Sequence, residues 1–312
     1  MQYIKGITQY HSKKRAALTL GKFDGLHRGH HKLIEQINLY TRQQQEVNRV
    51  LVAFDIDWEM LLTAEERNAR LQGQVDALLL CSFTEEMRTK KAEAFIKEII
   101  VERLQAVYLV VGNNFRFGHQ RVGTPEMLKE YGGYYGFQVE IVTPEMDGGE
   151  VISSSRIRKE LEKGEMPSVN RLLGYDYSLE GIVTYGRQLG RTLGFPTLNI
   201  VPPTLKKLPP FGVYACLVEI KGEWQVGICN LGIRPTIEEG LAVLAEAHLL
   251  DYHDDAYESP ARICLQDFLR PEMIFSSVVE LKEQIDKDVQ QVREKYIQNN
   301  YVKANSESEN KA

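Results

Sequence analysis

Two histidines three residues apart stand in the segment Gly21-Lys22-Phe23-Asp24-Gly25-Leu26-His27-Arg28-Gly29-His30. On a helical turn His27 and His30 share one face. The segment follows the apolar run Ala16 to Leu20 and precedes residues with helical periodicity, so it reads as a strand, a turn and a helix start. Free backbone N–H groups and the positive end of a helix dipole favour a phosphate at such a place. Gly25 and Gly29 let the backbone come close to a ligand. The imidazoles can donate hydrogen bonds to phosphate oxygens and so stabilise charge developing on an attacked phosphorus. Two other readings stay open. The pair could bind a metal, although no Cys or Glu stands at ligand spacing nearby. The pair could also be structural, within a tight turn. The Gly and Lys spacings of a Walker A loop or a GxGxxG fingerprint are missing.

Further segments carry phosphate-type chemistry. Ile152-Ser153-Ser154-Ser155-Arg156-Ile157-Arg158 places hydroxyls and N–H groups at a helix start, with Arg158 as a fixed positive charge. An ordinary helix cap is the plain alternative. Residues 181–200 read GIVTYGRQLGRTLGFPTLNI. Gly186, Gly190 and Gly194 allow a loop to wrap nucleotide phosphates, and Thr197 and Asn199 are hard oxygen donors suited to Mg²⁺. A simple turn is the alternative there.

The elements that must position these residues fall into two regimes. Up to Leu161, apolar runs alternate with helical patterns. Strands are expected at Ala16–Leu20, Arg49–Phe54, Ala77–Phe83, Val107–Val111 and Gln138–Val142. Helices are expected at His31–Val47 (with Leu33, Ile34, Ile37 and Leu39 apolar), Lys91–Arg103, Glu126–Tyr135 and from the serine run to Leu161. That alternation predicts a parallel sheet covered on both faces, with ligands outside the carboxyl ends of its strands. The segments 21–30, 112–123 and 150–158 all fall at such ends. After Leu172-Leu173-Gly174 the pattern changes to short alternating stretches rich in Gly and Pro, which predicts an antiparallel barrel or sandwich. A closing helix is expected over Val278–Gln298, with Leu281, Ile285, Val289 and Val292 on one face. The predicted fold class is therefore α/β plus β: an α/β domain over 1–173, a β domain over 174–298, and a polar, disordered tail over 299–312.

Bulk properties exclude several classes. The length of 312 residues fits about two domains. A net charge of −5 argues against a broad hold on nucleic acid. Basic runs such as Lys13-Lys14-Arg15 and Lys206-Lys207 read first as solvated surface. The four cysteines, Cys81, Cys216, Cys229 and Cys264, make no CxxC pair and sit in apolar surroundings, as small buried hydrophobes of a reduced protein do. No run approaches a membrane span, and Met1–Arg15 lacks the apolar core of a secretory leader, so a cytoplasmic protein without membrane partners is expected. Nothing in the sequence demands a homo-oligomer.

The His27/His30 segment matches the HxGH signature of the nucleotidylyltransferase superfamily. Together with Gly112-Asn113-Asn114-Phe115-Arg116-Phe117-Gly118 and the serine run, it resembles the prokaryotic bifunctional riboflavin kinase/FAD synthetase family, in the same order and spacing. Pro196-Thr197-Leu198-Asn199, Gly212-Val213-Tyr214, the segment from Asn230 to Thr236, and Glu246 with its neighbours continue the resemblance through the kinase half, from about Leu18 to Tyr296 in all. The resemblance implies a Rossmann-like FMN adenylyltransferase domain followed by a riboflavin kinase barrel, with ATP and Mg²⁺ used on riboflavin and FMN to yield FAD. It implies His27, His30 and Glu246 as catalytic residues, Glu246 being the general base. It implies Gly21, Phe23, Asp24, Gly29, Ser153, Ser154, Ser155 and Arg158 at the first ATP site, and Asn114, Phe115 and Arg116 at its flavin. In the kinase half it implies Gly186, Gly190, Arg191, Gly194, Pro196, Thr197 and Asn199 for MgATP. Leu269-Arg270-Pro271-Glu272 with Phe275 resembles the family's flavin-side flap, which places Arg270 near the substrate.

The departures from the family's pattern cluster in the first half. Lys22 stands where Asn is usual, Asn114 where Asp is usual, Ser155 where Thr is usual, and Phe54-Asp55-Ile56-Asp57 replaces a Phe-x-Pro-His-Pro segment. In the kinase half Leu198 replaces Ala, and Glu258 stands where Gly is usual. They keep two alternatives in view: a riboflavin kinase with weak adenylyltransferase activity, and a non-enzymatic flavin-binding regulator.

Overall fold

The computed structural model describes residues 1–42, 44, 46–55, 59–185, 194–236, 240–252 and 254–297. Two compact units divide the chain, Met1–Ser154 and Ser155–Ala312. Asp57, Gly186, Gly190, Arg191 and the tail over 299–312 lie outside the described residues, as does the side chain of Asp55.

The first unit is built on six parallel strands: β1 (Gln2–Lys5), β2 (Arg15–Gly21), β3 (Val47–Asp55), β4 (Ala77–Ser82), β5 (Ala106–Gly112) and β6 (Gln138–Val142). Their order is β1-β4-β3-β2-β5-β6. Five of these strands follow the sequence expectation; β1, at the sheet edge, does not, because Gln2-Tyr3-Ile4-Lys5 is only half-buried and offers no apolar run. Alternate residues of β2 enter opposite cores. Ala16, Leu18 and Leu20 join Phe95, Ile96, Ile100 and Leu128 on one face. Ala17 joins Ile37 and Val110 on the other. Burial on both faces is what makes these strands nearly continuous apolar runs.

From β2 the chain moves outward through α1 (Arg28–Thr41) to β3 and β4, then crosses to β5 on the other side of β2. The loops after β2 and β5 therefore leave in opposite directions, and a crevice opens between them at the carboxyl ends, the usual ligand position in such sheets. α1 stops earlier than its periodicity suggests. Thr41 turns its hydroxyl back to the Ile37 carbonyl at 3.0 Å, and Val47 already belongs to β3. Leu39 is exposed rather than packed, since it lies two residues from Ile37 and i,i+2 positions do not share a helix face. The remaining helices are α2 (Ala64–Arg70), α3 (Glu85–Thr89), α4 (Ala92–Ala94, continuing as wider π-type turns over Phe95–Arg103) and α5 (Pro125–Tyr135). A hairpin of β7 (Met146–Asp147) and β8 (Glu150–Val151) then leads to α6 (Ser154–Glu162).

The second unit includes α7 (Met166–Leu173), which ends at Gly174 in a left-handed conformation. Six antiparallel strands follow: β9 (Ser178–Ile182), β10 (Thr197–Ile200), β11 (Gly212–Ile220), β12 (Glu223–Thr236), β13 (Gly240–Leu249) and β14 (Pro260–Pro271). The order is β10-β13-β12-β11-β14-β9. The sheet curls until its edges meet, where the Thr184 N–H donates to the Asn199 carbonyl at 2.8 Å. A barrel with few open edges is thus made, with central strands of 9 to 14 residues. The closing helix α8 (Val278–Val292) lays Ile285, Val289 and Val292 on Val213, Ala215, Leu217 and Ile228. All four cysteines are buried thiols. Lys206 departs from the solvated role expected of it: it is buried, with its ammonium 4.6 Å from the centre of the Tyr177 ring.

Candidate active sites

The turn after β2 is sharply folded. Phe23 (φ 48°) and Leu26 (φ 39°) hold left-handed backbone although neither is glycine, and both are fully buried. Such conformations persist only where packing imposes them, and they cluster at functional sites. Gly25, at φ 85°, turns the chain between them. His27 is extended and forms the cap position of α1, and its carbonyl accepts the N–H of His30 at 2.7 Å. One helical turn then stacks the two imidazoles, with centroids 3.7 Å apart and planes 21° from parallel. A Cβ at Gly29 would lie 3.2 Å from the His27 ring, so glycine here makes room for the imidazole itself.

The pair is uncharged. Burial of the ring, and next the charge of His31, pulls His27 down to about 4. Burial first, then the charges of His27, His31 and Arg67, holds His30 well below the ordinary histidine value. Nδ1 of each ring is buried without a hydrogen-bond partner among the described residues. Two stacked rings with orphaned nitrogens, at the start of a 14-residue helix, have the chemistry to hydrogen-bond an oxygen-rich group. Among the described residues no cluster of three His, Cys, Asp or Glu suits a metal.

The serine segment joins this turn directly. Ser154 Oγ donates to the Asp24 carbonyl at 2.8 Å, with α6 beginning at Ser154 and Ser153 just before it. Ser155 and Arg158 follow on the first turns of that helix. Asp24 itself is turned inward, its Oδ1 accepting the N–H of Leu61 at 2.7 Å, while Gly21 leaves space for the Phe23 ring. Across the crevice, the loop after β5 is anchored by Phe117, buried against Phe95. Gly118 (φ 72°) lies so close to Ala92 that a Cβ would stand 2.8 Å from the Ala92 backbone. With that anchor fixed, Asn114 and Arg116 are exposed and Phe115 half-buried. The Arg116 guanidinium donates to the Phe115 carbonyl at 2.7 Å.

The second unit has its own site. Asn199 on β10 stands opposite Glu246 on β13, and Glu246 stands opposite Asn230 on β12. Directly opposed residues point to one face of a sheet, so the three side chains form a row. Thr197 lies two residues before Asn199 and shares that face. Asn199 is 4% exposed, and its Oδ1 is buried with no hydrogen-bond partner among the described residues. An orphaned amide oxygen beside a threonine hydroxyl and a carboxylate is a donor set that fits a hard cation such as Mg²⁺. Glu246 is half-buried rather than solvated, unlike the usual outward Glu of an alternating strand. Pro196 has no N–H to donate, but its carbonyl pairs with His248 Nδ1 at 2.9 Å, fixing the entry to β10. Gly194, at φ 88°, precedes it in open space. A cavity of about 510 Å³ is bordered by Val183, Thr197, Leu249, Tyr252, Asp255 and Tyr257; Thr197 reaches it, and Asn199, Glu246 and Asn230 do not. The Tyr257 ring stacks on Tyr185 at 3.8 Å.

Arg270 is engaged within the protein. Its guanidinium forks onto Asp288 of α8, with Nε at 3.0 Å and Nη2 at 2.8 Å from Oδ2. The segment that follows exposes Met273 and Ile274, and the Phe275 ring lies 5.9 Å from the guanidinium. Sequence reasoning missed Asp288, buried Arg67 and the tyrosine-lined cavity. Only Asp288 left a signal, as an acid at a position that continues the apolar face of α8.

Comparisons with known proteins match both halves of the chain. A family model described as FAD synthetase matches residues 9–156, and one described as riboflavin kinase matches residues 173–296. A bifunctional riboflavin kinase/FMN adenylyltransferase of Buchnera aphidicola is 34% identical, over 94% of this chain and 98% of its own. The protein of that name from Escherichia coli is also 34% identical, over 94% and 97%. A crystal structure titled as a macrolide-efflux protein from Streptococcus pneumoniae has a TM-score of 0.83 at 27% identity, covering 94% of this chain and 99% of that one. Among the described residues no helix is long and apolar enough to cross a membrane. The chain belongs to the bifunctional riboflavin kinase/FMN adenylyltransferase family.

Proposed function

We propose that the protein makes FAD in two steps, with riboflavin kinase activity in residues 174–298 and FMN adenylyltransferase activity in residues 1–173. The observation that carries this reading is that each half gathers its motif residues at one place: the stacked His27–His30 pair in the first, and the Asn199–Glu246–Asn230 row in the second.

In the kinase step, Glu246 accepts the proton of the riboflavin 5′-hydroxyl as that oxygen attacks the γ-phosphorus of ATP, and ADP leaves. Thr197 and Asn199 would hold Mg²⁺, which when bound neutralises phosphate charge. Asn230 flanks Glu246 and orients it. The apolar segment at 273–275 covers the flavin. Arg270 acts here through its hold on Asp288, keeping that segment attached to α8.

In the adenylyl transfer, a phosphate oxygen of FMN attacks the α-phosphorus of a second ATP and pyrophosphate leaves. No covalent enzyme intermediate is needed. His27 and His30 act as uncharged hydrogen-bond donors, supported by the N-terminus of α1 and the N–H groups of the serine run. Asn114, Phe115 and Arg116 line the flavin side. Riboflavin, FMN, FAD and ATP are the small-molecule partners, and the cytoplasm, where ATP is abundant, is the compartment that suits both steps.

The test is direct. The protein is incubated with MgATP and riboflavin, and separately with MgATP and FMN, and the products are separated by chromatography. FAD in both mixtures is the expected result. FMN as the sole product of the first mixture would restrict the activity to the kinase, and no turnover in either would leave only flavin binding.

A further inference from the structure

Behind the histidine pair lies a cation that no motif includes. Arg67 is 1% exposed and is the largest fully buried side chain among the described residues. A charge of that kind is costly to bury unless something needs it there. Its helix, α2, is fixed by a complete capping box: Thr63 accepts the Glu66 N–H at 3.2 Å, and Glu66 accepts the Thr63 N–H at 2.8 Å. The same segment grips the nucleotide turn twice. Leu61 N–H donates to Asp24, and Arg67 Nη1 donates to the Lys22 carbonyl at 3.2 Å. Lys22 immediately precedes Phe23, whose left-handed backbone begins the sharp corner and whose ring sits 5.0 Å from that of His30.

We propose that Arg67 is a positioning residue for adenylyl transfer, a buried cation that fixes the Lys22–Phe23 corner and supplies the positive field behind the stacked histidines. The proposal rests on the FMN adenylyltransferase reading above. The effect is electrostatic. Charge on the attacked phosphate grows in the transition state, and the imidazoles facing it are neutral. A fixed guanidinium within the same apolar pocket attracts that charge without having to reorganise, and in low dielectric the attraction is large. Its field also opposes protonation of His30, together with burial, His27 and His31, so the pair remains a set of neutral donors. Arginine keeps its charge when buried, which suits this place better than a histidine would.

Three full-length proteins test the idea: wild type, Arg67→Met and Arg67→Lys. The readouts are kcat and KM for FMN adenylylation, the riboflavin kinase rate as a control in the other unit, and the NMR titration of the His30 ring. Arg67→Met is expected to lower the adenylylation kcat at least tenfold with little change in KM for ATP, and to raise the His30 midpoint. Arg67→Lys should stay within about threefold of wild type if its His30 midpoint stays depressed, the sign that the buried lysine is charged, and should match Arg67→Met if that midpoint rises. An unchanged kcat in Arg67→Met, or a tenfold loss in Arg67→Lys at a depressed His30 midpoint, would overturn the proposal. If Arg67→Met unfolds the first unit, Arg67→Lys decides alone: rate and midpoint that move together support the role, and a rate that moves without the midpoint, or a midpoint that moves without the rate, refutes it. Absence of FAD synthesis in wild type would instead remove the underlying reading, leaving a result distinct from failure of Arg67.

Discussion

The neutrality of His27 has a thermodynamic signature that can be measured without any substrate. Its ordinary value of 6.5 falls to about 4 in the folded protein because the ring is desolvated. The unfolded chain therefore binds a proton that the folded chain refuses between these values, and stability rises with pH across that window. Stability is fully present above about pH 6.5 and is lost as pH falls toward 4. The full shift corresponds to about 3 kcal/mol at 1.36 kcal/mol for each pH unit, and about 2 kcal/mol of it is lost between pH 7 and pH 5. His27→Gln removes the titrating ring and keeps a polar group. It should lose about 2 kcal/mol less than wild type over that interval. His30, His31 and Arg67 face the same pocket, and removing His27 also eases protonation of His30, which flattens the variant's profile further. Urea unfolding followed by the NMR signals of first-unit residues at pH 7, 6 and 5 reports on that unit. Parallel losses with and without the His27→Gln substitution, within about 0.5 kcal/mol, would mean that the ring is not desolvated and uncharged as described.

Other consequences are specific to single residues. Glu246→Gln should reduce FMN formation from riboflavin by roughly 10²- to 10⁴-fold, the usual worth of a general base, while FMN-to-FAD conversion proceeds unchanged; retained kinase activity would reassign the base. Gly118→Ala forces a side chain onto the Ala92 backbone at a left-handed position, so the first unit should lose about 2 kcal/mol or more, read as a lowered urea midpoint. Asp288→Ala leaves the Arg270 guanidinium unpaired in a site where the aspartate side chain is 4% exposed. That should cost about 3–5 kcal/mol of barrel stability by thermal unfolding, much of it recovered in the double variant Arg270→Met with Asp288→Leu. A single-variant loss under about 1 kcal/mol would show that the pair does not hold the segment at 271–277 to α8.

Much of the frame was legible because its signals are periodic. Ala16 to Leu20, Arg49 to Phe54 and Val107 to Val111 are apolar on both faces, which is how a buried parallel strand must read. The change of pattern after Gly174 follows the left-handed end of α7, whereas the two compact units divide after Ser154. The strand of the first sheet that escaped notice lacks such an apolar run: β1 is a half-exposed edge. Residues of local motifs could be singled out in the sequence; buried charges contributed from elsewhere could not. Arg67 sits in Ala64-Glu65-Glu66-Arg67-Asn68-Ala69-Arg70, a helix polar on every side, and nothing in its spacing distinguishes the arginine that turns inward from Arg70. Asp288 is the instructive contrast. It lies three residues after Ile285 and four before Val292, so an acid occupies the face that packs on the barrel, and an acid there requires a buried partner.

Burial and charge also bear on the residues by which the first unit departs from its relatives. A triphosphate site must keep negative charge away from its floor. Asp24 stands in the middle of the nucleotide turn, yet its carboxylate is buried and takes the Leu61 N–H, while its carbonyl takes the Ser154 hydroxyl. It therefore joins three segments and keeps its carboxylate away from the surface of the crevice. Lys22 and Asn114, by contrast, are exposed, one on each loop bordering that crevice. Substitution at the rim changes which groups meet the ligand first and leaves the stacked histidines, the Phe23 corner and the Phe117 anchor intact. Lys22 adds positive charge on the side where a polyanion arrives, and Asn114 removes negative charge that would repel the FMN phosphate. Both changes move the local potential in the direction that favours two phosphorylated substrates, so they are consistent with adenylyl transfer by the framework that α1, α2 and the serine segment hold in place.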